Sequence, residues 1–208
     1  LPFLEYGARY LILHRLLIKT YYDLVIWYEE EKELKVLLAE IEKHEGRWSE
    51  QFWEVCSDLS RCCRRTGNIH NANCFSEIQL EVAEQVYAKH PNLAVAQSER
   101  GIVLHDLGEY HRAAQLLELA LESTLRNFGP EHPDVAMSQS NLAFVLQDLG
   151  EYMRAAQLLE SALASDLRNF GEEHPDVARS RYNLAVVYYH IDRLDEAKIL
   201  WEQALQTI

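Results

Sequence analysis

A stretch that returns every 42 residues constrains this chain more than any other feature. His-Pro pairs stand at His90-Pro91, His132-Pro133 and His174-Pro175, each 42 residues after the last. When residues 106–136 are laid over residues 148–178, 26 of the 31 positions are identical. Agreement of that kind marks tandem copies of one structural unit, so the fold has to be a stack of repeats.

Each copy reads as two helices. In the central copy Pro133 suits a first helical turn, and Asp134 beside it suits the positive end of the helix dipole. Leu142, Val145, Leu146 and Leu149 then follow at spacings of three and four, which puts them on one apolar face. Gly150 ends this helix. A second helix begins near Glu151 and carries Ala155, Ala156, Leu158, Leu159, Ala162, Leu163, Leu167 and Phe170, with Gly171 predicted as a left-handed cap. The small alanines let helices approach closely while Leu and Phe fill the space between them. No single helix pair can bury its apolar face, whereas stacked pairs can.

The residues Asn141-Leu142-Ala143, Gly150-Glu151-Tyr152, Ala155-Ala156 and Phe170-Gly171 resemble the tetratricopeptide repeat. The pattern recurs at Gly108-Glu109-Tyr110, Ala113-Ala114 and Phe128-Gly129, and in the last unit as Asn183-Leu184-Ala185 and Ala197, with Leu194 in place of the Tyr. The reference repeat has about 34 residues. The 42-residue period, with Phe-Gly-x-x-His-Pro-Asp-Val-Ala between units, is similar to the kinesin light chain subtype. The resemblance implies an all-α, right-handed superhelical solenoid of stacked antiparallel helix pairs. Gly67, Ile69 and Ala72 mark a degenerate earlier copy, with helices predicted near 49–65 and 70–89. The array thus spans 48–208, divided at 48–90, 91–132, 133–174 and an incomplete 175–208.

Two departures stand out. Arg100 occupies the position of Leu142 and Leu184, so either that contact is rearranged or the Arg reaches out to solvent. The last unit stops at Ile208 with no polar capping helix, which suggests continuation beyond it. The absence of Met at Leu1 likewise suggests a piece of something longer. Residues 1–47 show no repeat. They read as a helical N-terminal cap or a connector, with 29–45 helical, although Tyr21, Tyr22, Val25, Ile26 and Trp27 also suit a strand.

Charge and composition exclude several functions. A formal net charge of −13 disfavours a nucleic-acid backbone as the main partner. No stretch has the roughly 20 uncharged apolar residues of a membrane span, and no secretory signal is recognisable. Cys56, Cys62, Cys63 and Cys74 lie within one short stretch and read as free thiols in a reducing compartment, which points to the cytoplasm. Cys56 and Cys63 fall on positions that pack between helices, and no Cys-x-x-Cys pair indicates zinc. The His-Pro histidines fall one per repeat, too far apart for one metal ion, and are expected to order the loops. No phosphate-binding loop, nucleophile elbow or metalloprotease motif occurs. The expectation is therefore a protein that is not an enzyme and carries no cofactor and no metal.

The resemblance implies a groove lined by the first helix of each pair, which holds another protein or an extended peptide. Carried over copy by copy, the groove positions include Asn141, Phe144 and Gln147, then Arg179, Tyr182, Asn183 and Tyr189. The two asparagines resemble groove residues that hydrogen-bond a peptide backbone, since an amide both donates and accepts. The aromatics offer flat apolar area at low entropic cost. Arg61, Arg64 and Arg65 share a helix face and read either as a clamp for carboxylates or phosphates, or as a solvated face partly neutralised by Asp58. The groove lacks the Lys that a clamp for a chaperone tail requires. Two further readings remain. One is a sensor or autoinhibitory arm of a larger nucleotide-switch ATPase. The other is self-association through the last repeat.

Overall fold

The computed structural model describes residues 27–88 and 90–206. Among these residues every regular element is helical. The helices are α1 (Trp27–His44), α2 (Glu50–Arg65), α3 (Ile69–Val86), α4 (Pro91–Asp106), α5 (Tyr110–Phe128), α6 (Pro133–Asp148), α7 (Tyr152–Phe170), α8 (Pro175–His190) and α9 (Leu194–Gln206). The chain divides into two compact units, Leu1–Leu107 and Gly108–Ile208. In the first unit α1 packs on α2, α2 on α3, and α3 on α4; in the second α5, α6, α7, α8 and α9 pack in the same consecutive way. The strand option at Tyr21, Tyr22, Val25 and Ile26 lies outside the described residues, and Trp27 already begins α1.

Most positions of the predicted faces are buried, but Leu149, Leu158 and Leu167 are only half-buried, and Phe170 lies exposed at the end of its helix. On α6, Val135, Ala136, Leu142, Ala143, Val145 and Leu146 are buried. Ala155, Ala156 and Ala162 of α7 are buried too, as are Ala113, Ala114 and Ala120 at the matching positions of α5. An alanine side chain at a helix contact keeps the axes close, so the larger Leu117 and Leu159, both buried, can fill the remaining space. In the first unit Leu34, Leu37 and Ile41 of α1, at spacings of three and four, bury against Phe52, Val55, Cys56 and Leu59 of α2.

The helix starts explain the histidines. His132 and His174 are N-caps, and each ring Nδ1 accepts a hydrogen bond at 3.2 Å from the backbone N–H of Asp134 or Asp176. His90 does the same for Asn92 at 3.2 Å. The first helical turn has orphan N–H groups; Pro at the next position removes one and the imidazole satisfies another. The His132 ring also stacks on Phe128 at 4.6 Å, and His174 on Phe170 at 4.7 Å. The Phe-Gly-x-x-His-Pro signature is thus a single joint: the end of one helix provides the ring on which the cap of the next helix rests.

Gly171 follows α7 with φ 80° and ψ 167°. The positive φ is as expected, but ψ lies far from the left-handed helical value. This is a region that only glycine adopts readily. Gly150 (φ 76°) instead closes a turn in which the Glu151 N–H reaches back to the Leu146 carbonyl at 2.8 Å.

Arg100 points inward. It is 6% exposed, and its Nη1 donates to the Asn73 carbonyl at 3.0 Å, to Asn73 Oδ1 at 2.6 Å and to Ser76 Oγ at 3.0 Å. A buried guanidinium is tolerated only when acceptors surround it, and α3 supplies them. The rearranged contact is therefore the one adopted. The predicted helix near 70–89 ends at Val86, with the Tyr87 N–H closing on the Ala83 carbonyl at 2.8 Å.

Candidate peptide-binding site

The candidate groove residues of the second unit lie on the two helices that begin with His-Pro. On α6 the apolar face is turned into the unit. The remaining stripe carries Met137, Asn141 and Phe144, at spacings of four and three. Phe144 is 57% exposed, a large value for an aromatic ring, while Asn141 and Gln147 are half-buried. Gln147 donates to the Ala143 carbonyl of its own helix at 3.4 Å.

On α8 the matching stripe carries Arg179, Tyr182, Asn183 and Tyr189. Tyr182 and Tyr189 are exposed. Arg179 is exposed and paired with Asp176 at 2.8 Å, within its own helix. Tyr189 meets His190 edge-on at 5.8 Å and tilts against Trp201 at 6.1 Å, so its ring is braced rather than loose. Asn183 is half-buried. Among the described residues neither Asn141 nor Asn183 has a hydrogen-bond partner for its carboxamide. Neither amide belongs to the buried unpartnered groups, so both keep polar atoms open to solvent, on the same helix stripes as the exposed aromatic rings.

The three arginines belong to the first unit, on α2. Arg61 pairs with Asp58 and reaches Glu99 at 3.5 Å. Arg64 donates to Asp106 at 2.6 Å. Glu99 also accepts from Ser57 at 2.7 Å. The face of α2 is therefore laced to α4 by opposite charges. Arg65 is exposed and acts electrostatically on Glu30.

Arg61 and Arg65 border a cleft of about 680 Å³ whose walls come from α1, α2 and α4. Reading the repeat alone missed several of its residues, Glu30 and Trp53 among them. Glu30 precedes the first repeat, and the only signal for Trp53 is an aromatic in the degenerate copy. Burial pushes the Glu30 carboxyl above the ordinary glutamate range, and Arg65 draws it part of the way back.

The cysteines are core residues. Cys56, Cys62 and Cys63 are buried and free, and Cys74 is exposed. Burial pushes each of the three buried thiols up to about 12, so they stay protonated and unreactive at neutral pH. Among the described residues no three His, Cys, Asp or Glu side chains gather as metal ligands, and no helix is long and apolar enough to cross a membrane.

Several solved structures are similar to this chain. A kinesin light chain-type protein with nearly identical TPR-like repeats from Podosopora anserina is 24% identical and superposes with a TM-score of 0.80, over 97% of this chain and 95% of that one. BtubC (BKLC) from P. vanneervenii is 20% identical, with a TM-score of 0.72 over 98% of this chain and 88% of that one. A Rap protein complexed with competence and sporulation factor is 13% identical, with a TM-score of 0.76 over 93% of this chain and 52% of that one. No curated protein matches. Likeness at these identities shows the fold, an all-α repeat solenoid. The tetratricopeptide-repeat family model matches residues 93–167 and again 134–207, which together cover more than half of the sequence. With its helix pairs, buried alanines and His-Pro joints, the chain belongs to the tetratricopeptide-repeat family.

Proposed function

We propose that this chain is a non-enzymatic scaffold that holds an extended segment of another protein against the inner helices of its repeats. The supporting observation is the pair Asn141 and Asn183: half-buried, without partners, and flanked by the exposed rings of Phe144, Tyr182 and Tyr189. An unpaired amide can accept from one backbone N–H and donate to one backbone carbonyl, which grips a chain whatever its sequence. Aromatic surface beside it anchors the peptide's side chains. Gln147 and Arg179 extend the two stripes; each can exchange its present intrahelical bond for a bond to ligand. The chemistry asked of the site is recognition alone, and the cytoplasm is the compartment that suits free buried thiols.

The test uses peptides selected from a random display library on the intact chain. Replacing Asn141 and Asn183 together by Ala is expected to leave the helical circular dichroism unchanged and to weaken the selected peptides at least about tenfold, the loss of one or two hydrogen bonds. Unchanged affinity removes both residues from the site.

A second reading is a sensor or autoinhibitory arm of a nucleotide-switch ATPase, motivated by the near-identical tandem copies at 106–136 and 148–178. A phosphate-binding loop encoded upstream in the parent gene would favour it. Self-association is suggested by Ile199 and Leu205 of α9, which are exposed. A purely monomeric mass in light scattering would remove that option.

A further inference from the structure

The two His-Pro helices of the second unit carry large apolar side chains that the fold leaves in solvent. Met137 and Phe144 on α6, and Tyr182 and Tyr189 on α8, are each more than half exposed. Within each pair the two residues are seven positions apart. Both side chains therefore stand on one face of their helix, two turns or about 10.5 Å apart along its axis.

The wall around them is electrically neutral. From Val135 to Gln147, α6 has no charged residue. From Ser180 to Tyr189 the only one on α8 is Arg181, which is buried and donates to the Glu172 carbonyl at 3.1 Å. The matching helices of the first unit, α2 and α4, are instead tied together by ion pairs. A charged side chain laid on the neutral wall would lose water and meet no counter-charge. The wall thus complements an uncharged segment.

The spacing of the rings then selects a backbone. On one face of a β-strand side chains recur every two residues, at about 6.6 Å and next at about 13 Å. In a polyproline II helix they recur every three residues, at about 9.3 Å. Only the second comes close to the separation of Tyr182 and Tyr189. An α-helical ligand would match it too, but its backbone groups are already paired and would leave the open amides of Asn141 and Asn183 unused.

We propose that this face of the second unit binds an uncharged, proline-rich segment in the polyproline II conformation, with prolines three residues apart on Tyr182 and Tyr189. Proline rings lie flat on the aromatic rings, and Phe144 and Met137 offer further apolar surface to the same segment. A polyproline II backbone makes no internal hydrogen bonds, so its carbonyls are free to accept from the two amides. Because the segment is preformed, it loses little entropy on docking. The inference rests on the reading of Asn141 and Asn183 as a peptide site and narrows that site to one class of segment.

The experiment is a titration of the whole chain with capped peptides of equal length, followed by NMR through the ring signals of Tyr182 and Tyr189. Proline recurs every two, every three or every four residues, with alanine between. The three-residue repeat is expected to give saturable shifts in the millimolar range or tighter, and to bind at least about fivefold more tightly than the others. The two-residue repeat carries more proline, so proline content alone would reverse that order. Tyr182→Ala is expected to weaken the three-residue repeat at least about tenfold, whereas Tyr182→Phe, which keeps the ring, retains most of the affinity. Tyr189→Ala gives the same readout should Tyr182→Ala lose its helical dichroism. Equal or tighter binding of another spacing overturns the proposal. So does the absence of a saturable shift, or full binding by the folded alanine variants. If the proline repeats fail while a random library yields proline-free binders that depend on Asn141 and Asn183, this inference falls and the peptide site stands. If the library yields no binder either, both fall.

Discussion

Two junctions in the second unit are near copies of each other and differ at a buried polar contact. Where α5 meets α6, Thr124 and Ser138 share a neutral hydroxyl contact at 3.3 Å, and each also donates to a carbonyl of its own helix. Where α7 meets α8, at the same two repeat positions, Asp166 accepts from Ser180 at 2.5 Å. Both junctions are buried, and both sit beneath the same His-Pro cap and the same stacked phenylalanine. The facing helices differ as well: Arg179 and Arg181 of α8 stand where α6 has Met137 and Gln139, and Arg179 acts on the Asp166 carboxyl. Burial pushes the Asp166 carboxyl above the ordinary aspartate range, with the Ser180 hydroxyl bond pulling the other way. The Ser180 hydroxyl and the Arg179 guanidinium, both on the facing helix, offset part of that burial.

The largest expected difference between the junctions comes from removing that hydroxyl. Ser180→Ala leaves a buried acid without its donor and should cost about 2 kcal/mol in urea unfolding, whereas Ser138→Ala should cost about half that, as expected for losing a neutral rather than a charge-assisted bond. Equal losses would mean that Asp166 is answered by something else.

The caps come next. His132→Ala and His174→Ala should each cost about 1 kcal/mol, because each removes an N-cap acceptor and a stacked ring. If the two differ widely, the settings are not equivalent and the comparison fails.

The smallest effect is the exchange itself. Asp166→Thr, which copies the sister junction, should be neutral or slightly stabilising at neutral pH, because it removes a carboxyl whose burial disfavours the charged form. The sign follows from linkage. The folded state holds the Asp166 proton more tightly than the unfolded state does. Its favourable contribution is complete below the ordinary aspartate range and is lost as pH rises through the raised folded value. The stability of the wild type relative to Asp166→Thr should therefore fall as pH rises through that window and level off above it. A difference that rises with pH would reverse the assignment.

Much of the fold was legible in the linear sequence because its units are short and local. Period, helix starts and apolar faces are all set within about 40 residues, and each face needs only its neighbour. His132 and His174 were read as loop-ordering residues, and their caps use atoms two residues away. Contacts between distant residues were less legible. Arg100 left two options open, and the choice depended on Asn73 and Ser76 facing it from another helix. Arg61, Arg64 and Arg65 stood out as a cluster of like charge, while Asp106 and Glu99, which pair with two of them, lie at least 38 residues away along the chain. The candidate amides were named from a repeat pattern; their lack of partners is a property of the packed helices.

The sequence alone determined that this chain is a tandem array of helix pairs, which apolar face of each regular copy turns inward, and where the His-Pro helices begin. Periodicity and capping act over a turn or two of backbone and leave their trace in residue order. Only the tertiary structure decided which polar groups inside that array are answered and which are left open. Whether the Arg100 guanidinium, the Asp166 carboxyl or Glu30 Oε2 finds a partner depends on the helix packed against it. Burial makes that difference energetically large.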